Sequence, residues 1–381
     1  MNVSRPGWAA LLSALFVVGL SAAGILLGGP PQPAPASAPP SEFSAERAMA
    51  QVEQIAQRPH PVGSADHARV REYIVGTLAG MGLKAEVQSA VIRRGTATVR
   101  MARVENILAR VAGTRSTGAI LLASHYDSVP AAPGAADAGS GVAAVLEAMR
   151  ALQTGPAPQN DLILLFTDAE ELGLLGARAF VEQHPWAKDV RMVLNFEARG
   201  TRGPAWMFET QAGNGAVVAE WASLVPKPAG SSLTYEVYKR LPNDTDFTEF
   251  KRLKTAGLNF AFIGGVERYH TPGDAVAALD RGSVQHHGEA ALRLARRFAS
   301  MDLGALKVRD AVYFSLPILG VAPRYPAIWA VPLAVAAALL FVVAVVRTGR
   351  RRDASLEELA MLLFKLAVLV VRQELPGAEV S

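Results

Sequence analysis

Histidine and carboxylate side chains follow the apolar segments of this sequence at the positions where those segments end. These residues are His125, Glu170, Glu171, Glu197 and His270, and the set is completed by Asp137, which lies in a Gly/Ala/Ser loop that opens a helix. Two imidazoles and several carboxylates, in a chain without cysteine, suit a borderline cation such as Zn²⁺, which accepts nitrogen and oxygen ligands. Five such ligands exceed what one tetrahedral catalytic zinc needs. The set therefore fits two metals that share a bridging carboxylate and a water, with one carboxylate left over.

Each of these residues also has a simpler explanation when it is taken alone. A single histidine at a strand end is commonly a hydrogen-bonded loop residue, and Asp137 could cap the helix that follows it. Glu170 and Glu171 could complement a helix dipole. Glu197 is harder to explain, because an apolar strand that runs into a carboxylate would bury it without a partner. So many coincidences at one edge of a sheet are improbable, which favours a shared site.

The segments between these residues alternate between short apolar runs and amphipathic stretches. The predicted strands are residues 106–111, 119–123, 162–167, 190–196 and 258–263, and the predicted helices are residues 64–82, 139–152, 172–183, 213–224 and 283–299. Continuous apolar strands that alternate with helices are typical of a mainly parallel sheet covered on both faces. We therefore predict an α/β fold, a three-layer α/β/α sandwich around a mainly parallel mixed sheet. Ligands bind at the carboxyl ends of strands in such sheets, where the candidate residues lie.

Several motifs resemble one known family. They are SHYDSV, GAADAGSGVAAVLEAMRAL, FTDAEELGLLGARAF, VLNFEARG and RYHTPGD. In order and approximate spacing they resemble the M28 metallopeptidases, a family of co-catalytic zinc aminopeptidases, over about residues 44–300. The resemblance implies a fold of the zinc-exopeptidase type. The segments NFEARG and RLPNDTDFTEF, together with flanking apolar runs, look most like the membrane-anchored branch related to vacuolar and endoplasmic-reticulum membrane peptidases.

The resemblance implies two zinc ions per chain and a role for each member of the set. One ion would be held by His125 and Glu197, the other by Glu171 and His270, with Asp137 as the bridge and Glu170 as the general base. The chain departs from the usual family pattern at two positions. Many soluble relatives have Asp where this chain has Glu197, and Asp or Asn is frequent where it has Ala138.

Two aspartates are candidates for supporting roles behind the histidines. Asp127 lies two residues after His125 and would orient that imidazole, and Asp274 lies four residues after His270 and would do the same there. Such outer partners fix the tautomer of a metal-binding histidine. A plain turn-forming role is the alternative for both aspartates.

The other polar residues carry a weaker signal. Tyr269 and Arg199 flank ligand positions and could contact substrate, although a packing tyrosine and a surface arginine explain them equally well. The remaining histidines have no strand-end context and are interpreted as ordinary surface or loop residues: His60, His67, His184, His286 and His287.

Two uncharged segments predict membrane spans on either side of the α/β region. Residues 8–29 and residues 325–346 each form a run of 22 residues without a charge, which is enough to cross the ~30 Å hydrocarbon core of a bilayer. Arg5 precedes the first run, and arginines at 347 and 350–352 follow the second. By the positive-inside rule both ends face the cytoplasm and the region between them lies outside. A long signal peptide is the alternative for the first run.

These segments give a domain plan and a location. The plan is an anchor at 1–29, a Pro-rich linker at 30–41, a zinc peptidase domain at 42–310, a span at 325–346, and a cytoplasmic basic cluster with an apolar tail at 347–381. The linker would be a semi-rigid spacer that lifts the domain off the bilayer. The apolar stretch at 361–371 would be an interfacial helix, a truncated span or a partner-binding helix. We predict a bacterial inner-membrane protein with its catalytic domain on the periplasmic or extracellular side.

The charge distribution argues against a nucleic-acid partner. The net charge is +4, yet residues 42–310 carry 30 basic and 29 acidic residues. A neutral domain lacks the basic surface that phosphate backbones require, and no P-loop, dinucleotide fingerprint or nucleophile elbow is present. The expected partners are a peptide substrate and the lipid bilayer. The oligomeric state stays open.

We therefore expect a membrane-tethered dizinc metallopeptidase that removes N-terminal residues from peptides. One alternative is a glutaminyl-peptide cyclotransferase-like enzyme, because a related branch uses one zinc on the same scaffold. The other is a non-catalytic receptor or scaffold, which predicts damaged ligand positions. All six positions are intact in this chain, which counts against the second alternative.

Overall fold

The computed structural model describes residues 6–96 and 98–350. Within these residues the strands are β1 (Ala85–Arg94), β2 (Arg100–Val111), β3 (Ala119–His125), β4 (Asp161–Thr167), β5 (Val190–Ala198), β6 (Trp206–Thr210), β7 (Ala229–Gly230), β8 (Ala256–Phe262), β9 (Ala311–Tyr313) and β10 (Arg324–Pro326). The helices are α1 (Pro6–Leu27), α2 (Ala45–Ile55), α3 (Ala65–Gly80), α4 (Gly141–Leu152), α5 (Leu175–Gln183), α6 (Gly215–Leu224), α7 (Ser232–Tyr238), α8 (Asp246–Phe250), α9 (Arg281–Phe298) and α10 (Ala330–Arg350).

Strands β1 to β8 form a mixed sheet with a parallel centre. The strand order is β1-β2-β4-β3-β5-β8-β6-β7. The central strands β4, β3, β5 and β8 run parallel to one another. The β1–β2, β2–β4 and β6–β8 pairs are antiparallel. The prediction of a mainly parallel mixed sheet is confirmed.

The central strands are apolar throughout because both faces of the sheet are covered. Every residue of β3, β4 and β8 is buried, and successive side chains point to opposite faces. Ile120 and Leu122 join an apolar cluster that includes α2, α4 and α9. Leu121 and Ala123 join a second cluster with α5 and α8. The predicted three-layer α/β/α arrangement is therefore present.

All the predicted strands and helices occur, with ends that shift by a few residues. The largest shift is at β2, which begins at Arg100 instead of residue 106. Strands β1 and β6 and helices α2, α7 and α8 were not predicted. β1 mixes exposed and half-buried positions along its length, and β6 has only five residues, so neither shows the uninterrupted apolar pattern of a central strand.

The Pro-rich segment after α1 packs against the domain and is not a spacer. The backbone N–H of Ala34 donates to Gln285 Oε1 on α9 at 3.0 Å. The Arg47 guanidinium on α2 donates to the carbonyl oxygens of Ala36 (2.7 Å) and Ala38 (2.9 Å). The expectation that this segment lifts the domain off the bilayer is therefore wrong, because its backbone is bound to two helices of the domain.

Two of the helices, α1 and α10, are apolar along most of their length. Residues up to Tyr325 belong to one compact unit that includes α1, and a second unit begins at Pro326 and includes α10. Ala327–Ala344 is long and apolar enough to cross a membrane, and α1 contains a shorter apolar stretch, Leu11–Gly24. The domain boundaries and the orientation stay predictions. The predicted arginines 351 and 352 and the apolar tail at 361–371 lie outside the described residues.

Candidate metal centre

The carboxyl edge of the sheet brings the six predicted residues together, because the central parallel strands all end there. Their positions are His125 at the end of β3, Asp137 in a π-helical turn (Ala135–Ser140) before α4, Glu170 and Glu171 in the turn after β4, Glu197 inside the end of β5, and His270 in the loop after β8. The last two residues of β5, Glu197 and Ala198, extend beyond the predicted strand.

Asp137 stands at the centre of this group. Its Oδ1 lies 3.1 Å from His125 Nε2, and its Oδ2 lies 3.3 Å from His270 Nε2. Each histidine also faces a carboxylate of its own. Glu197 Oε2 lies 3.4 Å from His125 Nε2, and Glu171 Oε2 lies 3.1 Å from His270 Nε2. One carboxylate is therefore shared by two histidine–carboxylate pairs.

These distances suit a metal ion in each pair. Nitrogen and oxygen ligands at tetrahedral zinc are about 3.3 Å from one another, given metal–ligand bonds of about 2.0–2.1 Å. The four separations around Asp137 range from 3.1 to 3.4 Å. In addition, the buried atoms His270 Nε2 and Glu171 Oε1 make no hydrogen bond within the residues that the structure describes. The residues present fit two cations of the zinc type.

The histidines are held in a strongly negative environment. Burial lowers the pKa of His125, but contacts with Asp127, Asp137 and Glu197 more than offset this and raise it well above its ordinary value. For His270 burial acts in the same direction, and Asp137 and Glu171 raise the pKa to about 9. The carboxylates thus stabilise a positive charge at both imidazoles. A bound cation would supply that positive charge in place of the imidazole proton.

The glutamates of the turn after β4 lie in a crowded acidic environment. Burial raises the pKa of Glu170 well above its ordinary value, and the negative charges of Glu197 and Asp246 add to the effect. Burial also raises the pKa of Glu171 to about 7. Like charges that are desolvated together disfavour ionisation, so a cation nearby would favour the ionised forms of Glu170 and Glu171.

Asp127 supports two parts of the site at once. Its backbone carbonyl lies 3.0 Å from His125 Nδ1, whereas its carboxylate is 3.6 Å from that nitrogen. The carboxylate instead accepts the backbone N–H groups of Glu170 (3.0 Å) and Glu171 (3.3 Å). The predicted contact with His125 exists, but the backbone makes it, and the side chain fixes the turn that carries both glutamates.

The Asp274 carboxylate binds the backbone of the loop that carries Asp137. The proposed partner was His270, but the Asp274 carboxylate accepts the backbone N–H groups of Ala136 (2.7 Å) and Asp137 (3.2 Å). Burial raises its pKa to about 6. Asp274 therefore holds the loop of the shared carboxylate, and the orienting role toward His270 stays a prediction.

Tyr269 and Arg199 form a stack that ends on a candidate ligand. The rings of Tyr269 and His270 are 3.7 Å apart and nearly parallel, and the Arg199 guanidinium lies 5.3 Å from the Tyr269 ring. His270 itself has φ of 57°, a left-handed conformation that is uncommon for residues other than glycine. The stack restrains the His270 ring. Because Tyr269 and Arg199 are part of this stack, both predicted substrate residues lie beside the site.

A buried amide network behind Glu197 was not predicted. Asn195 Nδ2 donates to Glu197 Oε1 (2.9 Å) and to Asn259 Oδ1 (3.0 Å). Asn259 Nδ2 in turn donates to Glu209 Oε2 (3.1 Å), and Lys251 pairs with the other oxygen of Glu209. A signal was available, because the strands VLNFE and GLNFAF each carry one asparagine among apolar residues.

Asp246 is a second buried acid that the sequence did not single out. It is the first residue of α8 and is fully buried. One of its oxygens accepts a hydrogen bond from the Thr167 hydroxyl at the end of β4, and its Oδ1 has no hydrogen-bond partner in the described part of the chain. Burial, reinforced by Glu197, raises its pKa well above the ordinary value.

The remaining histidines are not surface residues, although His60 and His184 lie in loops as predicted. All are buried: His60, His67, His184, His286 and His287. His67 Nε2 lies 2.8 Å from Asp168 Oδ1, and its ring stacks on Tyr126. His287 lies between the rings of Phe196 and Phe262. They are structural histidines. A sequence pattern that assigns polar residues to the surface does not predict their burial.

A cavity of about 610 Å³ lies elsewhere, among the ends of α4 and α9 and the loop before β4. It is lined mainly by apolar atoms, and none of the six site residues contributes to it. Because it lies near the amino ends of the central strands, it is on the opposite edge of the sheet from the chemistry.

Residues 106–295 match peptidase family M28. The chain belongs to this family. The matched segment contains all six residues around Asp137, so the M28 match and the cluster coincide.

Curated relatives of this M28 chain include membrane proteins. The vacuolar membrane protease of Yarrowia lipolytica is 33% identical over 264 residues, which cover 63% of this chain and 26% of that protein. Endoplasmic reticulum metallopeptidase 1 of Mus musculus is 34% identical over 188 residues, which cover 48% of this chain and 21% of that protein. The chain thus spans less than a third of the length of these relatives.

Solved structures share the M28 fold at low sequence identity. An aminopeptidase from Aneurinibacillus sp. strain AM-1 superposes with a TM-score of 0.56 at 14% identity, covering 71% of this chain and 97% of that chain. A glutaminyl cyclase from Porphyromonas gingivalis gives 0.54 at 22% identity, covering 67% and 99%. A zinc-dependent exopeptidase from Parabacteroides distasonis gives 0.55 at 21% identity, covering 67% and 98%.

Proposed function

We propose that the protein is a membrane-tethered metallopeptidase that holds two zinc ions and removes N-terminal residues from peptides. The observation that carries the proposal is the position of Asp137, whose two oxygens face different histidines at 3.1 and 3.3 Å. A carboxylate shared in this way, with a further carboxylate on each histidine, is the arrangement that two neighbouring metals require. The M28 family and the aminopeptidase and exopeptidase names of the structural neighbours support it.

Each ion would have its own ligands and a common bridge. His125 and Glu197 would hold one ion, His270 and Glu171 the other, and Asp137 both. Asp274 and Asp127 would keep the bridge and the Glu171 turn in place through the backbone bonds described above. When bound, the ions would polarise the scissile carbonyl and lower the pKa of a water at the site.

Glu170 is the proposed general base. It precedes Glu171 in a turn fixed by Asp127, and it is not required as a ligand in the two-ion arrangement. It would take a proton from the attacking water and give it to the leaving amine as the C–N bond breaks. The raised pKa of Glu170 favours the second half of this transfer, in which the carboxylic acid must act as a donor.

A glutaminyl cyclisation reaction is the second candidate. His125, Asp137 and Glu171 can each place one ligand atom within 4.8 Å of the others, which is the three-ligand set of a single catalytic zinc. The structural neighbours also include a glutaminyl cyclase. A non-catalytic receptor is less well supported, because all six proposed site residues are present in the sequence.

One preparation of the full-length protein in detergent tests these possibilities. Bound metal is counted by elemental analysis, and the sample is assayed with aminoacyl chromogenic substrates and with peptides that begin with glutamine. We expect two zinc ions per chain and chelator-sensitive release of N-terminal residues. One zinc with pyroglutamate formation would favour the cyclase, and absence of metal together with absence of chelator-sensitive turnover would contradict both enzymes.

The base assignment has its own prediction. Glu170→Gln should retain both metals and lose about 10²–10⁴-fold in kcat, because the amide cannot accept the proton. Glu267→Gln is the matched control, since Glu267 is an exposed glutamate in the short turn before His270 and should behave as wild type. Wild-type turnover of Glu170→Gln would contradict the role of Glu170.

We also propose that α1 and α10 span the membrane, with the catalytic domain on the periplasmic or extracellular side. One of the curated relatives named above, the vacuolar membrane protease, is a membrane protein by name, and α10 contains a segment of sufficient length and hydropathy. Because the chain has no cysteine, a single one can report topology. Ala157→Cys in the domain should react with an impermeant maleimide on intact cells, and Ser355→Cys only after permeabilisation. The reverse pattern would contradict this orientation.

A further inference from the structure

The chain between β9 and β10 folds into a hairpin that presents apolar side chains to solvent. We name residues 314–321 the apolar hairpin. The exposed fractions are 40% for Phe314, 36% for Leu316, 68% for Leu319 and 46% for Val321. Grouped apolar exposure of this kind in an ordered segment marks an interaction surface more often than chance packing.

The backbone of the apolar hairpin is fixed by hydrogen bonds. Leu316 N–H donates to Val321 O at 2.8 Å, and Gly320 N–H closes the turn on Leu316 O at 3.0 Å. Ser315 N–H donates to Gly230 O of β7 at 3.0 Å. The hairpin is thus attached to the edge of the main sheet through β7. Its apolar side chains are nevertheless exposed to solvent.

The apolar hairpin lies beside the end of α1. A Cβ atom added to Gly28, the residue after α1, would lie 3.0 Å from Pro317 Cβ. The described side chains of α1 are largely uncovered by protein, for example Phe16 at 68% and Leu26 at 80% exposure. A helix that is apolar on all sides requires an apolar environment, and 22 residues extend about 33 Å, close to the ~30 Å hydrocarbon core of a bilayer. Gly28 and Pro317 would then lie at the bilayer surface.

The charges around the apolar hairpin suit lipid headgroups. Residues 1–41 and 311–350 contain no aspartate or glutamate. Lys227 lies next to the turn, with its Cγ 3.9 Å from a Cβ built at Gly320, and its Nζ donates to Gly29 O at 3.4 Å. Arg324 at the base of the hairpin is exposed. Basic side chains are attracted to anionic phosphates at a membrane surface.

We propose that the apolar hairpin inserts into the headgroup and upper acyl region of the bilayer that α1 spans, and is a second membrane attachment of the catalytic domain. Such insertion reaches about 5–10 Å into the boundary region. The inference rests on the proposed membrane tether. It also depends on the bound Pro-rich segment, because a free spacer would hold the domain away from the lipid.

The absence of cysteine allows a direct test in the full chain. Leu319→Cys, Leu15→Cys in α1 and Val91→Cys are each labelled with an environment-sensitive fluorophore and reconstituted in phosphatidylcholine vesicles with a minor fraction of phosphatidylglycerol. Val91 is the matched control, since it is an exposed valine (61%) in β1 at the opposite edge of the sheet from the hairpin. The vesicles carry a nitroxide lipid label either near the top or near the middle of the acyl chain.

We expect the Leu319→Cys probe to lose most of its emission with the shallow nitroxide, the Leu15→Cys probe with the deep one, and the Val91→Cys probe with neither. Quenching at Leu15→Cys combined with a Leu319→Cys probe that matches Val91→Cys would overturn the hairpin inference and leave the tether intact. An unquenched Leu15→Cys probe would overturn the tether, and the hairpin inference with it.

Discussion

At the scale of single residues, a hydrogen bond from Asn195 orients the Glu197 carboxylate. Asn195 is two positions before Glu197 on β5, so both side chains point to the same face of the sheet. The Asn195 amide holds Glu197 Oε1 at 2.9 Å, which leaves Oε2 to face His125 at 3.4 Å. Asn259 is the partner of Asn195 in the β5–β8 register. Its side chain accepts a hydrogen bond from Asn195 and donates one to Glu209. A ligand carboxylate is thus positioned by neutral amides, without an added charge.

We expect Asn195→Leu to weaken zinc binding by about 10–100-fold, the usual effect of removing a partner of a metal ligand. Zinc affinity is measured by competition with a chromogenic chelator. Asn160→Leu is the matched control, because Asn160 is also fully buried and donates to the carbonyl oxygens of Phe298 (2.8 Å) and Met301 (2.6 Å), near the amino ends of the strands. Equal losses of zinc affinity in the two variants would contradict the positioning role of Asn195.

His287 makes the stability of the domain sensitive to acid. Burial lowers its pKa to about 3, and neither ring nitrogen has a hydrogen-bond partner within the described residues. In the unfolded chain a histidine titrates near about 6.5. Below that pH the unfolded state binds the proton and the folded state does not, so the free energy of unfolding falls as pH falls.

The expected size is about 2 kcal/mol between pH 7 and pH 5 for this one group. His287→Leu should therefore show a correspondingly smaller loss of stability over this interval. The measurement is denaturant unfolding at both pH values with a chelator present throughout, so that metal release does not contribute. An unchanged pH dependence would show that His287 is not the sensitive group.

At the scale of elements, α9 packs against α2 and α4 in one apolar cluster. Gly288 on α9 faces Phe43, and an added Cβ would lie 1.9 Å from the nearest atom of that ring. Nothing in the backbone conformation requires glycine there. The glycine is needed for close approach, because it lets the fully buried Phe43 ring pack directly on the helix.

Gly288→Ala should destabilise the domain by about 1–3 kcal/mol, the usual cost of an overpacked core. The control is Gly76→Ala on α3, where an added Cβ meets nothing within 4 Å and the better helix propensity of alanine should stabilise by up to about 1 kcal/mol. Thermal unfolding of the two variants should move in opposite directions. A shift of the same sign in both would argue against the Phe43 contact as the reason for Gly288.

The elements also show where sequence reasoning succeeds and where it stops. β3, β4 and β8 were predictable because burial on both faces makes them continuously apolar. Five of the six site residues were predictable because they follow apolar strands, and Asp137 because it lies in the Gly/Ala/Ser loop that opens α4. The Asn195–Asn259 contact joins positions 64 residues apart, and only the strand order reveals it. His286 and His287 carry polar side chains on the buried face of α9, so a pattern based on polarity places them outside.

At the scale of the whole molecule, the metal centre is a concentration of negative charge that metal binding would offset. The carboxylates of Asp137, Glu170, Glu171, Glu197 and Asp246 gather at one edge of the sheet, and burial raises the pKa of several of them. A ligand that binds only the folded state stabilises it by an amount that grows with its free concentration. Folding and metal binding should therefore be coupled.

Removal of metal should lower the unfolding temperature, and zinc should restore it. At a free zinc concentration of about one hundred times Kd the gain is about 2.7 kcal/mol for one site, or about 5–10 °C for a domain of this size. A zinc titration in metal-buffered solution, followed by scanning fluorimetry, measures it. Asp137→Asn serves as the control and should respond much less. An unfolding temperature that is indifferent to zinc in the wild-type chain would contradict a resident metal.

The bound Pro-rich segment has a consequence for proteolytic cleavage between α1 and the domain. Proline- and alanine-rich stalks between an anchor and a folded domain are accessible to other proteases, and a cut there normally releases the domain. In this chain the carbonyl oxygens of Ala36 and Ala38 are engaged by Arg47, and the N–H of Ala34 by Gln285. A protease needs an extended, free backbone, and these contacts withhold it. We therefore expect these contacts to slow cleavage of the segment, and under the proposed membrane tether they would keep the domain attached to α1.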